Sequence, residues 1–523
     1  MLPEGPYVLV ASDEGQHGFS EPAEILVRAG DEVTLTLSVP PPATLRFRIT
    51  DQQGFQMPVK LTLVGIDEND RPLRGDGRRR PYLGQGRRGN GVQTVHLSPS
   101  GDGELEVEPG RYGVIASRGP EYGVLSRVFD LTAGQVAQFE GIVPQEVDTT
   151  GWLSADMHLH ATPSFDSGLP LTTRVLAAAA EGVEIAVSTD HDVSTDYRPT
   201  IRELQLEPMI KGVVGAEITT LEHGHFIGFP LAYDDLVVPT RGAHDWTCQP
   251  GQDIIRGIEA TGDGQVDRPF TIVAHPRDGF FGYIDQLGVD TYSMNRSTSL
   301  LTEDNPVFRV AGCDFDAMEI ISAKRYDLHR TPTIGEMVDW VRCLERVNRA
   351  ADEAALATAC PEVAPEGPIV PCDVGERFSS CRDRNRTELA WRMSQRILAR
   401  EPAEQEADWR WGGSQAQTQE LCDPASFGED PVPEELRDLP CGFRPGQVDD
   451  FFRYLEHGLT PTQVGSSDSH GFSKEPGAPR TYVRTSSDAP NRVGVDEVVT
   501  SLRGGHAFAT YGPFIRADIA GAT

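Results

Sequence analysis

Histidine and carboxylate side chains of metal-binding type recur along this chain in short, widely separated segments. Asp156-Met157-His158-Leu159-His160 is trailed by Asp166, and Thr189-Asp190-His191, Glu217, His225, His275 and Asp468-Ser469-His470 follow. Neutral imidazole and carboxylate without thiolate suit zinc, manganese or iron. Magnesium and calcium prefer oxygen ligands, and a set this rich in nitrogen fits them poorly. Ions held by such a set lower the pKa of water from about 15.7 to about 7 and polarise an electrophile, so hydrolysis is the chemistry expected.

Donors so far apart in sequence need a scaffold that gathers them. Short apolar runs at 183–188, 212–216, 270–274 and 317–321 alternate with helical stretches such as the Ala-rich segment 174–180. This reads as buried parallel strands of an α/β barrel or doubly wound sheet. His191, Glu217 and His275 each close one such run, and Asp468 with His470 closes another at 462–465. Carboxyl ends of strands are where α/β barrels build their sites, because the loops converge there. The two-residue period of extended chain puts His158 and His160 on one face, and likewise Asp468 and His470. A lone His-x-His says little; the joint pattern argues for one multinuclear site on a barrel rim.

Residues 1–145 have a different texture. Alternating runs such as Glu24-Ile25-Leu26-Val27-Arg28, Thr34-Leu35-Thr36-Leu37 and Leu45-Arg46-Phe47-Arg48-Ile49 are separated by Gly, Pro and Asp clusters, an all-β pattern. The Arg- and Gly-rich stretch between Arg71 and Asn90 is a solvated hairpin tip or a contact for an anionic partner. The α/β part is expected over 150–515, with a cysteine-bearing insertion at about 343–441 before the last strand. A strand begins at Phe514-Ile515-Arg516, so 516–523 is read as the start of a further C-terminal segment.

At 523 residues the chain exceeds what one core serves, so at least two domains are expected. Hydrophobic residues at 38% and charged residues at 24% suit a soluble globular protein. No run approaches the roughly 20 apolar residues of a transmembrane helix. The formal net charge of -32 opposes broad contact with a phosphate backbone, so nucleic acid is not an expected partner. Of eight cysteines, Cys343, Cys360, Cys372, Cys381, Cys422 and Cys441 lie in one Pro- and Glu-rich stretch without a CxxC pair. Disulfides account for them better than zinc, which places the protein outside the cytoplasm, periplasmic or secreted. The start shows no signal peptide, so either a leader precedes this numbering or the cysteines are reduced and cytosolic.

The motifs together resemble the PHP (polymerase and histidinol phosphatase) superfamily, and within it the CehA/McbA-type, carbaryl-hydrolase-like metallohydrolases, from about Trp152 to Phe514. Residues 43–63 with Pro109-Gly110-Arg111-Tyr112-Gly113-Val114 resemble a carboxypeptidase-regulatory-like β-sandwich. The resemblance implies a distorted (β/α)7 barrel preceded by an all-β domain, carrying two or three divalent ions (Zn, Mn or Fe). It implies that His158 and His160 bind one ion with Glu217 and Asp468, that Glu217 bridges to a second held by His225 and His275, and that Asp166, His191 and His470 take a third. Some members have histidine where Asp166 stands. His223 competes with His225 for its place; Gly224-His225-Phe226 matches the family's strand.

The implied activity is a metal-dependent hydrolase using metal-activated hydroxide on a small-molecule phosphoester or a carboxyl or carbamate ester. Glu217, Asp468, His470 and Arg277 are assigned to catalysis. Arg277 either clamps an anionic group, helped by Lys324 or Arg325, or pairs with a carboxylate; Phe280, Phe281 and Tyr283 offer an apolar alternative. Asp156 and Asp190 either orient imidazoles or cap strand-end turns. The competing class is an inactive PHP-like binding module displayed outside the cytoplasm.

Overall fold

The computed structural model describes residues 3–12, 20–30, 32–71, 92–220, 223–278, 281–287, 289–290, 295–296, 314–322, 342–343, 345–360, 372, 378–379, 381–382, 385, 446–471 and 475–514. The Arg- and Gly-rich loop beyond Arg71, Phe280, Lys324, Arg325, Cys422, Cys441 and residues 516–523 lie outside these. Two compact units divide the chain: Met1–Ala274, Leu301–Ala323 and Pro461–Thr523 form the first, His275–Leu300 and Lys324–Thr460 the second.

The first unit begins with an antiparallel pair, β1 (Gly5–Leu9) and β2 (Ala23–Val27). Then come β3 (Ala43–Thr50), β4 (Val59–Gly65), β5 (Val92–Ser98), β6 (Asp102–Val107), β7 (Gly110–Ser117), β8 (Leu125–Leu131) and β9 (Val136–Ile142). They form a three-stranded sheet β6-β3-β9 and a four-stranded sheet β5-β4-β7-β8. Leu45, Phe47 and Ile49 of β3, Leu61 and Leu63 of β4, Val114 of β7 and Phe139 of β9 share one core. Alternation therefore does here what it implied: every second residue of β3 is buried. Among the described residues the run Thr34-Leu35-Thr36-Leu37 forms no strand and pairs with none, and Leu35 is exposed.

The α/β part continues with β10 (Trp152–Leu159), α1 (Leu171–Ala180), β11 (Ile185–Ser188), α2 (Arg198–Glu203), β12 (Lys211–Val213), β13 (Ala216–Thr219), β14 (His225–Phe229), α3 (Gly251–Glu259) and β15 (Phe270–Val273). The second unit contributes α4 (Tyr283–Leu287), the antiparallel pair β16 (Val289–Asp290) and β17 (Asn295–Arg296), α5 (Glu353–Ala357) and α6 (Gln447–Glu456). Its small core gathers Val347, Leu356, Cys343, Cys360 and Cys381, with disulfides Cys343–Cys360 and Cys372–Cys381. Back in the first unit stand β18 (Ala317–Ser322), β19 (Thr462–Ser466), β20 (Arg480–Arg484), α7 (Val495–Arg503) and β21 (Ala507–Thr510). Among the described residues no helix is long and apolar enough to cross a membrane.

These strands make two five-stranded sheets, β12-β11-β10-β20-β21 and β13-β14-β15-β18-β19. The expectation of parallel strands needs correcting. β10-β11-β12 and β15-β18-β19 are parallel, but β13-β14, β14-β15, β10-β20 and β20-β21 are antiparallel. A burial pattern without alternation reports only that both faces are covered; it carries no strand direction. One face of β10 and β11 packs Leu153, Ala155, Met157, Ile185 and Val187 with Ile227, Ile272, Val464 and Val498 of α7. The other face takes Val175 and Ala178 of α1 and Ile201 of α2. Bridges Leu159↔Ser469 and His191↔Glu217 join the sheets at one end.

At the opposite end the α/β layer meets the N-terminal sheets. Arg118 Nη1 donates to the carbonyls of Pro58 and Ala179 at 2.8 and 3.0 Å, and Lys60 pairs with Glu181. Backbone approaches backbone so closely there that a Cβ on Gly119 (φ +73°) would stand 2.0 Å from the Glu181 carbonyl oxygen, which is why glycine occupies the position.

Candidate metal centre

The stitched end of the sheets carries the donors, though by a different route from the one read in the sequence. A register shift in β10 between Asp156 and Leu159 brackets His158, and His160 follows the strand directly. Such bulges re-aim side chains near functional sites. The run at 212–216 is two strands, since β12 stops at Val213 and β13 begins at Ala216 in the other sheet. Glu217 is therefore the second residue of β13 and does not close a strand. His225 is the first residue of β14, whose antiparallel register sets Thr219 opposite His225, so a reversed strand returns a second donor to the same end. Asp468 and His470 follow β19. Asp468 (φ 48°), His275 (φ 24°) and Asp192 (φ 56°) hold left-handed backbone, a strain of about 1–3 kcal/mol each that concentrates where a fold over-determines a site.

The side chains converge on Glu217 and Asp468. Glu217 Oε1 lies 3.3 Å from His158 Nε2 and 2.9 Å from His225 Nδ1, and its Oε2 lies 2.8 Å from His191 Nδ1 and 3.5 Å from His160 Nε2. Asp468 Oδ1 lies 3.2 Å from His160 Nε2 and 3.3 Å from His158 Nε2. Asp166 Oδ2 stands 3.2 Å from His191 Nε2 and 3.0 Å from His470 Nε2. Donor atoms of His160, Asp166, His191 and His470 fall within 4.8 Å of one another; so do those of His158, His160 and Asp468, and of His191, Glu217 and His225. His160 Nε2 is buried and makes no hydrogen bond among the described residues. A buried imidazole nitrogen aimed at two carboxylates, among donors of nitrogen and oxygen type only, fits a transition metal of the zinc, manganese or iron kind.

Several partners orient these donors. His158 Nδ1 lies 3.2 Å from Glu319 Oε1, a buried carboxylate in the middle of β18. His160 Nδ1 lies 2.9 Å from Ser164 Oγ, and His191 Nδ1 lies 2.6 Å from Thr219 Oγ1. Arg174, wholly buried in α1, donates to the His160 carbonyl (2.7 Å) and to Ser469 Oγ and O (2.8 and 2.7 Å), so one guanidinium ties the loop after β10 to the loop after β19. Neither Glu319 nor Arg174 was identified from sequence. The signal was there for Glu319: a lone acid inside Ala317-Met318-Glu319-Ile320-Ile321 has no reason to be buried without a polar partner. Asp156 accepts from the amides of His158, Ser467 and Gly477, and Asp190 from the Ala161 amide and Thr195 Oγ1. Both serve backbone and hydroxyl groups, whereas Glu319 faces the Nδ1 of His158.

Electrostatics follow from this crowding. Burial opposes a charged imidazole at His158, yet Asp468, Glu217 and Glu319 outweigh it and hold its pKa well above the usual range. Burial equally opposes charge on Glu217, and His158, His225 and His191 hold that carboxyl well below the usual range. At His191 burial is overcome by Glu217 and Asp166, which raise it to about 9. His160 and His470 are lowered, mainly by burial. The two lie ring on ring, with centroids 3.9 Å apart.

His275 is the first residue of the second unit, one position beyond Ala274, whose amide donates to the His225 carbonyl at 3.1 Å. Arg277 makes a bidentate pair with Asp450 of α6, Nε to Oδ2 and Nη2 to Oδ1 both at 2.7 Å, and both residues are buried. Phe281 is exposed and Tyr283 buried. His223, the competitor of His225, is buried with its amide on Thr220 Oγ1 and stands in none of the donor groups.

No family model and no curated protein matches the chain. Among solved structures it is similar to a two-domain protein from Bacteroides vulgatus containing a predicted PHP-like metal-dependent phosphoesterase, at 14% identity and a TM-score of 0.30 over 69% of this chain. The similarity spans 65% of that protein, just under two thirds of its length. A streptococcal ancillary pilin (17% identity, TM-score 0.17, 30% of this chain and 49% of that one) is also similar. So is BcpA, the major pilin subunit of Bacillus cereus (11%, 0.15, 28% and 41%). At scores this low the functional reading rests on the side chains.

Proposed function

We propose that this protein is a metal-dependent hydrolase of PHP type, cleaving a small-molecule phosphoester or a carboxyl or carbamate ester. The observation that carries the proposal is the convergence of His158, His160, His191, His225, His470 and Asp166 on Glu217 and Asp468 and on one another, with donor groups closing to within 4.8 Å. His158, His160 and Asp468 would hold one ion, His191, Glu217 and His225 a second, and Asp166, His191, His470 and His160 a third; His275 is the further ligand the family resemblance calls for. Bound ions would supply Lewis-acid polarisation and lower the pKa of water. The chain's own part is to hold them: Glu319 fixes the His158 ring, Ser164 the His160 ring, and Arg174 the two loops. With Arg277 paired to Asp450, charge on the substrate is met by the ions and their ligands, and an uncharged ester needs no cationic clamp.

The α/β layer is read as a distorted (β/α)7 barrel of CehA/McbA type, and the N-terminal sheets as a β-sandwich. The disulfides favour an oxidising, extracytoplasmic location. Elemental analysis of purified protein tests the centre, and a panel of nitrophenyl phosphate, phosphodiester, acetate and carbamate tests the reaction. Chelation is expected to abolish turnover and manganese or zinc to restore it. Turnover confined to the phosphates would favour a phosphoesterase, and turnover of acetate or carbamate the carboxyl or carbamate branch. Protein without transition metal, with His158→Ala as active as wild type on every ester, would end the hydrolase reading.

A further inference from the structure

The donors are not equally reachable. Side-chain exposure runs from 0% at His158, His160 and Glu217 and 1% at Asp468 to 24% at His470 and 38% at Asp166. Solvent therefore meets the cluster at the Asp166 and His470 corner, and a substrate arriving from solvent arrives there. Beside that corner stands Phe165, 80% exposed, with its ring stacked on the His191 imidazole at 4.8 Å and 25°. A lone exposed phenylalanine is ordinary on a protein surface. This one sits on a loop pinned on both sides: Ser164 Oγ accepts from the His191 amide at 3.0 Å, and Ser167 Oγ donates to the His470 carbonyl at 2.7 Å. The same loop is closed at its base by Thr162 N to Leu169 O, 2.9 Å. Exposure here is held in place by the fold.

Imidazole donates to an ion in the plane of its ring, so Phe165 covers a face of His191 that ligation does not use. Resting on the proposed hydrolase reading, we propose that Phe165 is a specificity-determining residue, forming an aromatic wall at the mouth of the centre that selects substrates with a planar apolar group beside the scissile ester. Ring-on-ring packing of this kind is worth about three- to tenfold in affinity.

The test uses the metal-loaded full chain and two tetrahedral probes, benzylphosphonate and ethylphosphonate, whose binding is measured by calorimetry in wild type, Phe165→Ala and Phe165→Trp, with bound metal determined for each. Wild type is expected to prefer the benzyl probe about fivefold or more, Phe165→Ala to bring the ratio to about one at unchanged metal content, and Phe165→Trp to restore it. An equal ratio in wild type, or a benzyl preference that survives in Phe165→Ala, overturns the proposal, as does failure of wild type to bind either probe. Turnover of benzyl and ethyl esters, whose leaving alkoxides have similar basicity, is measured in parallel. A benzyl preference in binding without turnover of either ester keeps the wall and removes the hydrolase reading; turnover without that preference does the reverse.

Discussion

At their amino ends β10 and β11 close off polar groups one at a time, whereas at their carboxyl ends they bring polar groups face to face. Ahead of β11, Glu184 accepts from the Ser154 amide (2.9 Å) and hydroxyl (3.3 Å), and neighbouring Glu121 accepts from Tyr482 Oη (2.9 Å) and Thr149 Oγ1 (3.2 Å). Beyond β11, Glu217 is ringed by imidazoles. The two glutamates record the contrast: burial, with Glu121 adding to it, pushes Glu184 up to about 8, while His158, His225 and His191 overcome burial and hold Glu217 well below the usual range. One end is satisfied by hydrogen bonds of the chain; at the other, carboxylates and imidazoles face one another in groups that could hold a metal ion. That is the division of labour expected of α/β folds, stability at one end and chemistry at the other.

The strongest blow to this contrast would come from Glu217→Ala. It is expected to lower turnover by about a thousandfold or more and to deplete bound metal, with secondary structure by circular dichroism intact; retained metal and activity would mean the centre lies elsewhere. Glu319→Gln is expected to weaken metal affinity about 10- to 100-fold at little cost to the fold, read by competition with a chelator. At the opposite end, Arg118→Met strands the carbonyls of Pro58 and Ala179 and is expected to cost about 2–3 kcal/mol in urea unfolding, with turnover per folded molecule unchanged.

The smallest effect sharpens the contrast through pH. Because Glu184 is raised from 4.5 to about 8 in the folded state, the native protein holds that proton more tightly than the unfolded chain, so stability falls as pH rises between those values and levels off above. Glu184→Gln is expected to flatten this slope, an effect of about 1–2 kcal/mol for a group that keeps some contact with solvent. An identical slope in the variant would place the proton elsewhere.

Much of the centre was legible because ligand chemistry is written in residue type. His191 follows β11, and Asp468 and His470 follow β19, as their positions after apolar runs implied, whereas His225 opens β14. What stayed hidden is relational. Nothing in the run at 212–216 marks the break that gives Glu217 to a second sheet, and Arg277 shows no sign of Asp450, 173 residues away. Arg174 hides in an Ala-rich helix because its partners are two carbonyls and a hydroxyl, groups that residue patterns do not advertise. In β3, β4 and β7 alternation could be read directly, since each has one face in a core, but Thr34-Leu35-Thr36-Leu37 shows that the pattern alone does not recruit a partner strand.

The reversed strand β14 also has a consequence for how the donors are assembled in time. Glu217 and His225 are eight residues apart across one hairpin, a closure that takes about microseconds. Ser167 and His470, by contrast, are joined across 303 residues of chain, a contact of the kind that slows folding. A partly folded chain thus offers a hairpin with two donors and nothing to shut it, and the full set exists only once β19 has docked.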